Sequence, residues 1–274
     1  MVKKIIAISD IHIRNLRRNE EYQEKLQKLL DKLTEFAADY DKDELRIVIA
    51  GDLLHNKIDI SPEAYLMCSW LLKKLGDIAK TIVIAGNHDM SRNEQRLDPL
   101  TTIFSLANPN DVYYLDYELD YKSGCMEDDN ITWCLFSSFD DFTRPEIDEY
   151  RVQNPDSKYV GLFHGVLKGS KTDAGYQSEN GFNTSYFDGL DFCIMGHIHK
   201  RQCEKYNGIP LVYCGSLIQQ DFGENLSNHG FVIWDIETEN YDEINFTDDR
   251  YGFYNFTINS EEDIKEDKEE LINL

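Results

Sequence analysis

Residues 4–12 read KIIAISDIH, and how this stretch is read decides the fold. A short apolar run rich in β-branched side chains is too brief for a helix and marks a strand buried on both faces. The run ends on Asp10-Ile11-His12. Side chains two apart on extended backbone point to the same side, so Asp10 and His12 can chelate one ion. The same plan recurs at 46–52 (RIVIAGD), 81–89 (TIVIAGNHD), 159–165 (YVGLFHG) and 192–199 (FCIMGHIH), with a further apolar run at 132–137. Each is a strand followed by polar, chemically versatile residues.

Helical patterns lie between the strands. Leu26, Leu29, Leu30, Leu33, Phe36, Ala37 and Tyr40 repeat at helical spacing. Ser61-Pro62 supplies an N-cap and a first-turn proline before Leu71, Leu72 and Leu75, and Asp98-Pro99 repeats that start signal. Strands followed by helices predict a layered α/β fold with functional loops at the carboxyl ends of the strands. The later part (211–213, 230–235 and 241–246) is richer in strands and is expected to supply a second sheet that closes a sandwich.

At 274 residues the chain can bury one large core, or one domain plus a fragment of another. Its six cysteines show no C-x-x-C spacing and several lie in apolar runs, which reads as reduced core thiols in a cytoplasmic protein. No signal peptide is recognised, and the apolar runs fall far short of the roughly 20 residues that span a bilayer. The net charge is −23, from 28 basic and 51 acidic residues, which argues against a surface that grips nucleic acid over its whole extent. Residues 237–274 alone carry 13 acidic and 3 basic residues and read as a solvated surface or tail. Basic residues gather instead just after the histidine clusters: Arg14, Arg17, Arg18, Lys57, Arg92, Arg96, Lys168, Lys171, Lys200 and Arg201. An acidic body with a locally basic mouth suits a phosphate-bearing substrate.

Six of the seven histidines fall in five strand-end clusters. Gly51-Asp52 offers a carboxylate able to bridge two ions, with a glycine that permits close backbone approach. Gly86-Asn87-His88-Asp89 adds an amide oxygen and an imidazole, followed by His164-Gly165 and Gly196-His197-Ile198-His199. Taken singly, each is ordinary loop chemistry. Together they form the ligand inventory of a two-metal hydrolytic site. Carboxylate oxygens, an amide oxygen and imidazoles suit Mn²⁺, Fe²⁺ or Zn²⁺, and the absence of cysteine ligands disfavours structural zinc. His229 lacks such a context and reads as a loop histidine.

The ordered set D-x-H, G-D, G-N-H-D, H-G, G-H-x-H, spread over residues 3–235, resembles the calcineurin-like metallophosphoesterase superfamily. Gly51-Asp52-Leu53-Leu54-His55, Gly196-His197-Ile198-His199-Lys200 and the stretch from Tyr213-Cys214-Gly215-Ser216-Leu217 to Phe222-Gly223-Glu224 narrow the likeness. They resemble SbcD-type DNA repair nucleases, the related subunit of eukaryotic double-strand break repair, and phage recombination endonuclease subunits. The resemblance implies a four-layer αββα sandwich with its site on strand-end loops. It implies one metal held by Asp10, His12, Asp52 and His199 and a second by Asp52, Asn87, His164 and His197. Two divalent ions, Mn²⁺ above all, would then activate water for in-line attack at phosphorus. It further implies His88 as general acid with Asp89 orienting its ring, and His55 on the substrate side for exonuclease action. Arg14, Arg17, Lys57, Arg92 and Lys200 are the substrate-binding candidates.

The domain plan implied is a nuclease domain over 1–246, then, over 247–274, the start of a shortened or minimal DNA-capping region with an acidic tail. Residues 251–258 are expected as its first strand and 261–273 as a helical segment. The partners implied are DNA, a coiled-coil ATPase of SbcC type, and a second copy of the chain through helices beside the site. The apolar stripe of 20–40, a candidate for that contact, reads first as core. Residues 169–182 are expected to form a mobile polar loop near substrate. The leading reading is a manganese-dependent DNA nuclease with 3′→5′ exonuclease and single-strand endonuclease activity. A phosphodiesterase or phosphatase acting on small phosphorylated molecules is the alternative, and a metal-free binding scaffold the third.

Overall fold

The computed structural model describes residues 1–15, 17–91, 97–246 and 251–254. Strand β1 (Lys4–Ile8) is buried on both faces, as its unbroken apolar run predicts. Ile6 and Ile8 face a helical layer, while Ile5 and Ala7 face a second sheet. Along the chain there follow α1 (Asn19–Ala37), β2 (Leu45–Ala50), α2 (Pro62–Ile78), β3 (Lys80–Ile84), α3 (Pro99–Ala107) and β4 (Val112–Tyr114). Next come a single turn α4 (Leu115–Glu118), β5 (Gly124–Asp128), β6 (Ile131–Phe136), α5 (Ile147–Gln153), β7 (Lys158–His164) and β8 (Phe192–Gly196). The series closes with β9 (Gln202–Tyr206), β10 (Ile209–Tyr213), β11 (Gly230–Asp235) and β12 (Tyr241–Asn245).

Two six-stranded sheets result, ordered β12-β11-β1-β2-β3-β4 and β5-β6-β7-β8-β10-β9. Strands β1 to β4 run parallel, as do β6, β7, β8 and β10, so their carboxyl ends gather at one end of the sandwich. Between the sheets lies an apolar layer that includes Ile5, Ala7, Val48, Ile82, Trp133, Leu162, Ile194 and Trp234. The stripe of α1 (Tyr22, Leu26, Leu29, Leu30 and Leu33) packs with α2 and α3 on the outer face of the first sheet and is core, as read from the sequence. The outer face of the second sheet, with Phe136, Tyr159, Phe163 and Tyr213, is covered by Ile147 of α5 and by Phe187. This is the four-layer α/β sandwich that the sequence predicts.

Ser61 and Asp98 cap α2 and α3 through the amides of Ala64 and Thr101, with proline next in both cases. Two features differ from expectation. The second sheet begins earlier, at β5, and the late strands β11 and β12 return to the first sheet beside β1. Strands β4, β5 and β9 were not read from the sequence: β4 spans only three residues, β5 and β9 carry no apolar run, and all three lie at sheet edges, where one side needs no neighbour. The cysteines are free thiols, five of them buried and Cys203 partly exposed. No helix among the described residues is long and apolar enough to cross a membrane. Of residues 247–274 only 251–254 are described, so the expected capping strand and acidic helix lie largely outside the described residues.

At the end of the sandwich opposite the strand-end clusters, the sheets are joined by charge. Asp128 of β5 accepts from Arg46 Nε and Nη2 of β2 at 2.7 and 2.9 Å, from Lys80 Nζ of β3 at 2.8 Å and from Trp133 Nε1 at 3.0 Å. Burial opposes its ionisation, but these donors outweigh that and hold its pKa at about 2. A carboxyl depressed in the folded state contributes stability that is present above the unfolded pKa near 4 and is lost as pH falls toward 2. Asp128→Ala leaves the buried Arg46 uncompensated and is expected to cost about 3–5 kcal/mol in urea unfolding at neutral pH. The deficit should shrink on acidification; an unchanged midpoint at pH 7 would show that the cluster holds nothing.

Candidate metal centre

The loops that leave the parallel strands meet across the seam of the two sheets. Those after β1 and β2 run side by side, joined by Asp10 N to Gly51 O, His12 N to Asp52 O and Ile13 N to Leu53 O at 2.9–3.1 Å. Asp52 lies at the centre and is buried. Its Oδ1 accepts from the His88 amide at 2.8 Å, while Oδ2 lies 3.3 Å from His164 Nε2 and 3.5 Å from His12 Nε2. Asp10 accepts from Ser9 Oγ at 2.6 Å and from the His197 amide at 3.0 Å. His12 Nε2 stands 3.1 Å from His199 Nε2, and His197 Nδ1 stands 2.6 Å from Asn87 Oδ1.

All seven ligand candidates therefore converge. Asp10, His12 and His199 form one group and Asp52, His164 and His197 another, with donor atoms within 4.8 Å of one another in each. A divalent cation fits this set on its own chemistry. His164 Nε2 is buried without a hydrogen-bond partner and faces a carboxylate.

The backbone is bent to bring these groups together. Asp10, His12, Asp52 and His197 hold positive φ angles of 50°, 52°, 52° and 89°, a region that side chains other than glycine's seldom occupy. A Cβ on Gly86 would lie 2.1 Å from Asp52 Oδ1, and one on Gly196 would lie 2.2 Å from the Ala50 carbonyl, so neither position admits another residue.

The electrostatics follow from crowding. Burial works against the His164 imidazolium, but Asp52 and Asp10 outweigh it and raise the ring to about 10. His199 is likewise raised to about 9, against burial, by Glu224 and Asp10. Burial, with His164 adding repulsion, lowers His197 to about 4. His55 is lowered to about 4 by burial and by Arg14, whose Nη1 lies 3.2 Å from His55 Nε2. His55 and His88 stack with centroids 5.2 Å apart, and His12 lies edge-on to both.

Asp89 does not meet the His88 ring. Its buried carboxylate accepts from the amides of Leu53, Leu54 and Gly86 at 2.8–3.0 Å, clamping the loop of Asp52 and His55 to that of Asn87 and His88. The ring of His88 is oriented instead by the His55 carbonyl, 2.7 Å from Nδ1. Burial, with Asp52 nearby, raises Asp89 to about 7. His229, read as a loop histidine, is buried, with Nδ1 2.9 Å from Ser216 Oγ and Nε2 2.6 Å from the Asn225 carbonyl. Glu224, quoted in the sequence only for its motif, places Oε1 2.6 Å from His199 Nδ1. A lone glutamate 25 residues from its histidine leaves no signal in spacing.

Among the basic candidates, Arg14 reaches the centre and also donates to Gln220 at 3.2 Å. Lys200 Nζ is 3.8 Å from Asp173, Arg17 and Lys57 are exposed away from any partner shown, and Arg92 lies outside the described residues. Residues 169–182 form a laced loop. Gln177 donates to Gly169 O, Gln202 bonds both backbone groups of Lys171, and Asp173 accepts from Asn225 Nδ2 at 3.0 Å. This loop, Lys200 and Gly223 enclose a cavity of about 300 Å³ beside His197 and His199.

Over 260 residues the chain is 34% identical to an uncharacterized protein of Acanthamoeba polyphaga mimivirus, covering 92% of this chain and 18% of that one. It is 25% identical over 227 residues to the DNA double-strand break repair protein Mre11 of Methanopyrus kandleri, covering 78% of this chain and 48% of its relative. The chain thus spans under a fifth of the first relative's length and about half of the second's. A solved structure of an archaeal phosphodiesterase aligns at 14% identity and a TM-score of 0.43, covering 88% of this chain and 99% of that one. The model of the calcineurin-like phosphoesterase family matches residues 3–201, and the chain belongs to that family of metal-dependent phosphoester hydrolases.

Proposed function

We propose that this phosphoesterase is a two-metal DNA nuclease of SbcD type, with Mn²⁺ its working ion and 3′→5′ exonuclease and single-strand endonuclease action its chemistry. Asp10, His12, Asp52 and His199 would hold one ion, and Asp52, Asn87, His164 and His197 the other. When bound, the pair supplies Lewis-acid polarisation of the phosphoryl oxygens and a nucleophile generated from water at neutral pH.

The observation that carries the reading is the cluster beyond the ligands: stacked His55 and His88 with Arg14 on His55. His88 Nδ1–H donates to the His55 carbonyl, so in the imidazolium form the second proton, on Nε2, is the one passed to the departing sugar oxygen, leaving the neutral ring with Nδ1–H. Arg14 offers a planar donor fork suited to a phosphate next to the scissile one. The similarity to a DNA double-strand break repair protein, Mre11, supports DNA as substrate. The resemblance to SbcD-type nucleases extends the proposal to a coiled-coil ATPase of SbcC type as partner. A second reading, hydrolysis of small phosphorylated molecules, is favoured by the cavity beside His197 and His199, whose Lys200 is already engaged by Asp173.

Metal-loaded protein in Mn²⁺ is expected to remove nucleotides from end-labelled duplex and single-stranded DNA, and Asp52→Ala to reduce this by about 10³-fold or more. Cleavage of bis-p-nitrophenyl phosphate with DNA untouched would transfer the assignment to the small-molecule reading. His88→Ala should keep both ions and slow DNA cleavage by about 10²–10⁴-fold. A native rate for that variant rules out the acid role. Gly86→Ala, which drives a methyl into Asp52, should abolish two-ion binding in a metal titration even where the chain folds.

A further inference from the structure

We infer that Glu224 is a positioning residue for one side of the metal centre, setting the affinity of the ion held by His199 while leaving the other ion untouched. The inference rests on the two-metal reading. Glu224 grips His199 Nδ1 with Oε1 at 2.6 Å, and its second oxygen accepts from Ser216 Oγ at 3.1 Å and the Gln220 amide at 2.9 Å. Its side chain is only 8% exposed. Behind it, the Ser216 hydroxyl is shared with His229 Nδ1, and the Ser216 amide donates to the His199 carbonyl at 3.0 Å. Both carboxylate oxygens are thus held, and the backbone that carries His199 is tied to the segment that carries its partner.

A carboxylate on Nδ1 fixes the tautomer so that the Nε2 lone pair faces the centre, and it makes that nitrogen a better donor to a cation. The other side lacks this device. His164 Nδ1 donates to the Ala50 carbonyl at 2.7 Å and His197 Nδ1 lies 2.6 Å from the Asn87 amide oxygen, neither a carboxylate. On the His199 side itself, His12 Nδ1 has no partner. Among the described residues, Glu224 alone places a carboxylate against the outer nitrogen of a site imidazole. The centre is therefore asymmetric, with an extra negative charge behind one ion.

The test is calorimetric titration of Mn²⁺ into metal-free protein, with free Mn²⁺ counted by paramagnetic resonance. His199→Ala and His164→Ala identify which binding step belongs to which side. Glu224→Gln keeps length and one acceptor oxygen while removing the charge. It is expected to weaken the His199-side ion about 10- to 100-fold and to leave the other within about twofold. Two ions bound with native affinity overturn the inference. So does an equal loss of both ions with a lowered thermal midpoint, since that is what a merely structural loop residue produces. Should Glu224→Gln not fold, His229→Asn leaves the carboxylate but removes the ring behind Ser216, and is expected to weaken the same ion about threefold; no change there is equally fatal. If the unaltered chain binds no divalent ion, the two-metal reading itself falls, an outcome distinct from the others.

Discussion

The structure turns on keeping one carboxylate, Asp52, out of water at the seam of two sheets. An isolated buried charge is costly, so Asp52 is met by a backbone amide and by imidazoles drawn from three separate loops. The His88 amide comes from the loop after β3, the His164 ring from the end of β7, and the His12 ring from the loop after β1. Gly86 must lack a side chain because the carboxylate occupies that space. Asp89, equally buried, serves the backbone rather than the chemistry, holding two of these loops at a fixed distance through three amides.

Much of this was legible in the sequence because the strands that carry the ligands are central and parallel. Burial on both faces gives them unbroken apolar runs, and parallel direction puts every run's carboxyl end at one place, so reading strand and cluster together named seven side chains that the fold brings close to one another. Edge strand β9 (QCEKY) was illegible for the complementary reason: it is half solvated and carries no apolar signature. Glu224, His229 and the true business of Asp89 were hidden because each acts through a contact across loops, and spacing along the chain says nothing about which loops touch. The helix starts at Ser61 and Asp98 were visible since capping is local.

The acidity of the chain and the chemistry of its site coexist because fields in salt are short-ranged. At physiological ionic strength, charges separated by more than about 8 Å are largely screened, so the net charge of −23 does not determine the potential at the mouth. What acts there is local. Among the described residues, Lys200 and Asp173 offset one another and Arg18 is paired with Glu21, while the Arg14 guanidinium lies beside His55 at the centre.

Strand β1 lies between β2 and β11, and β11 comes from residues 230–235, more than two hundred positions along the chain. Asp10 stands at the end of that strand, and it needs the His197 amide from the other sheet to be held. Neither half of the ligand set exists as a formed unit while the chain is emerging: the first sheet lacks its central neighbour until the last strands arrive, and His164, His197 and His199 belong to the sheet made in between. Contacts of such sequence separation form late and slowly. The cation site is therefore complete only where strands from distant parts of the chain have docked, and the same side chains without that docking are not brought together.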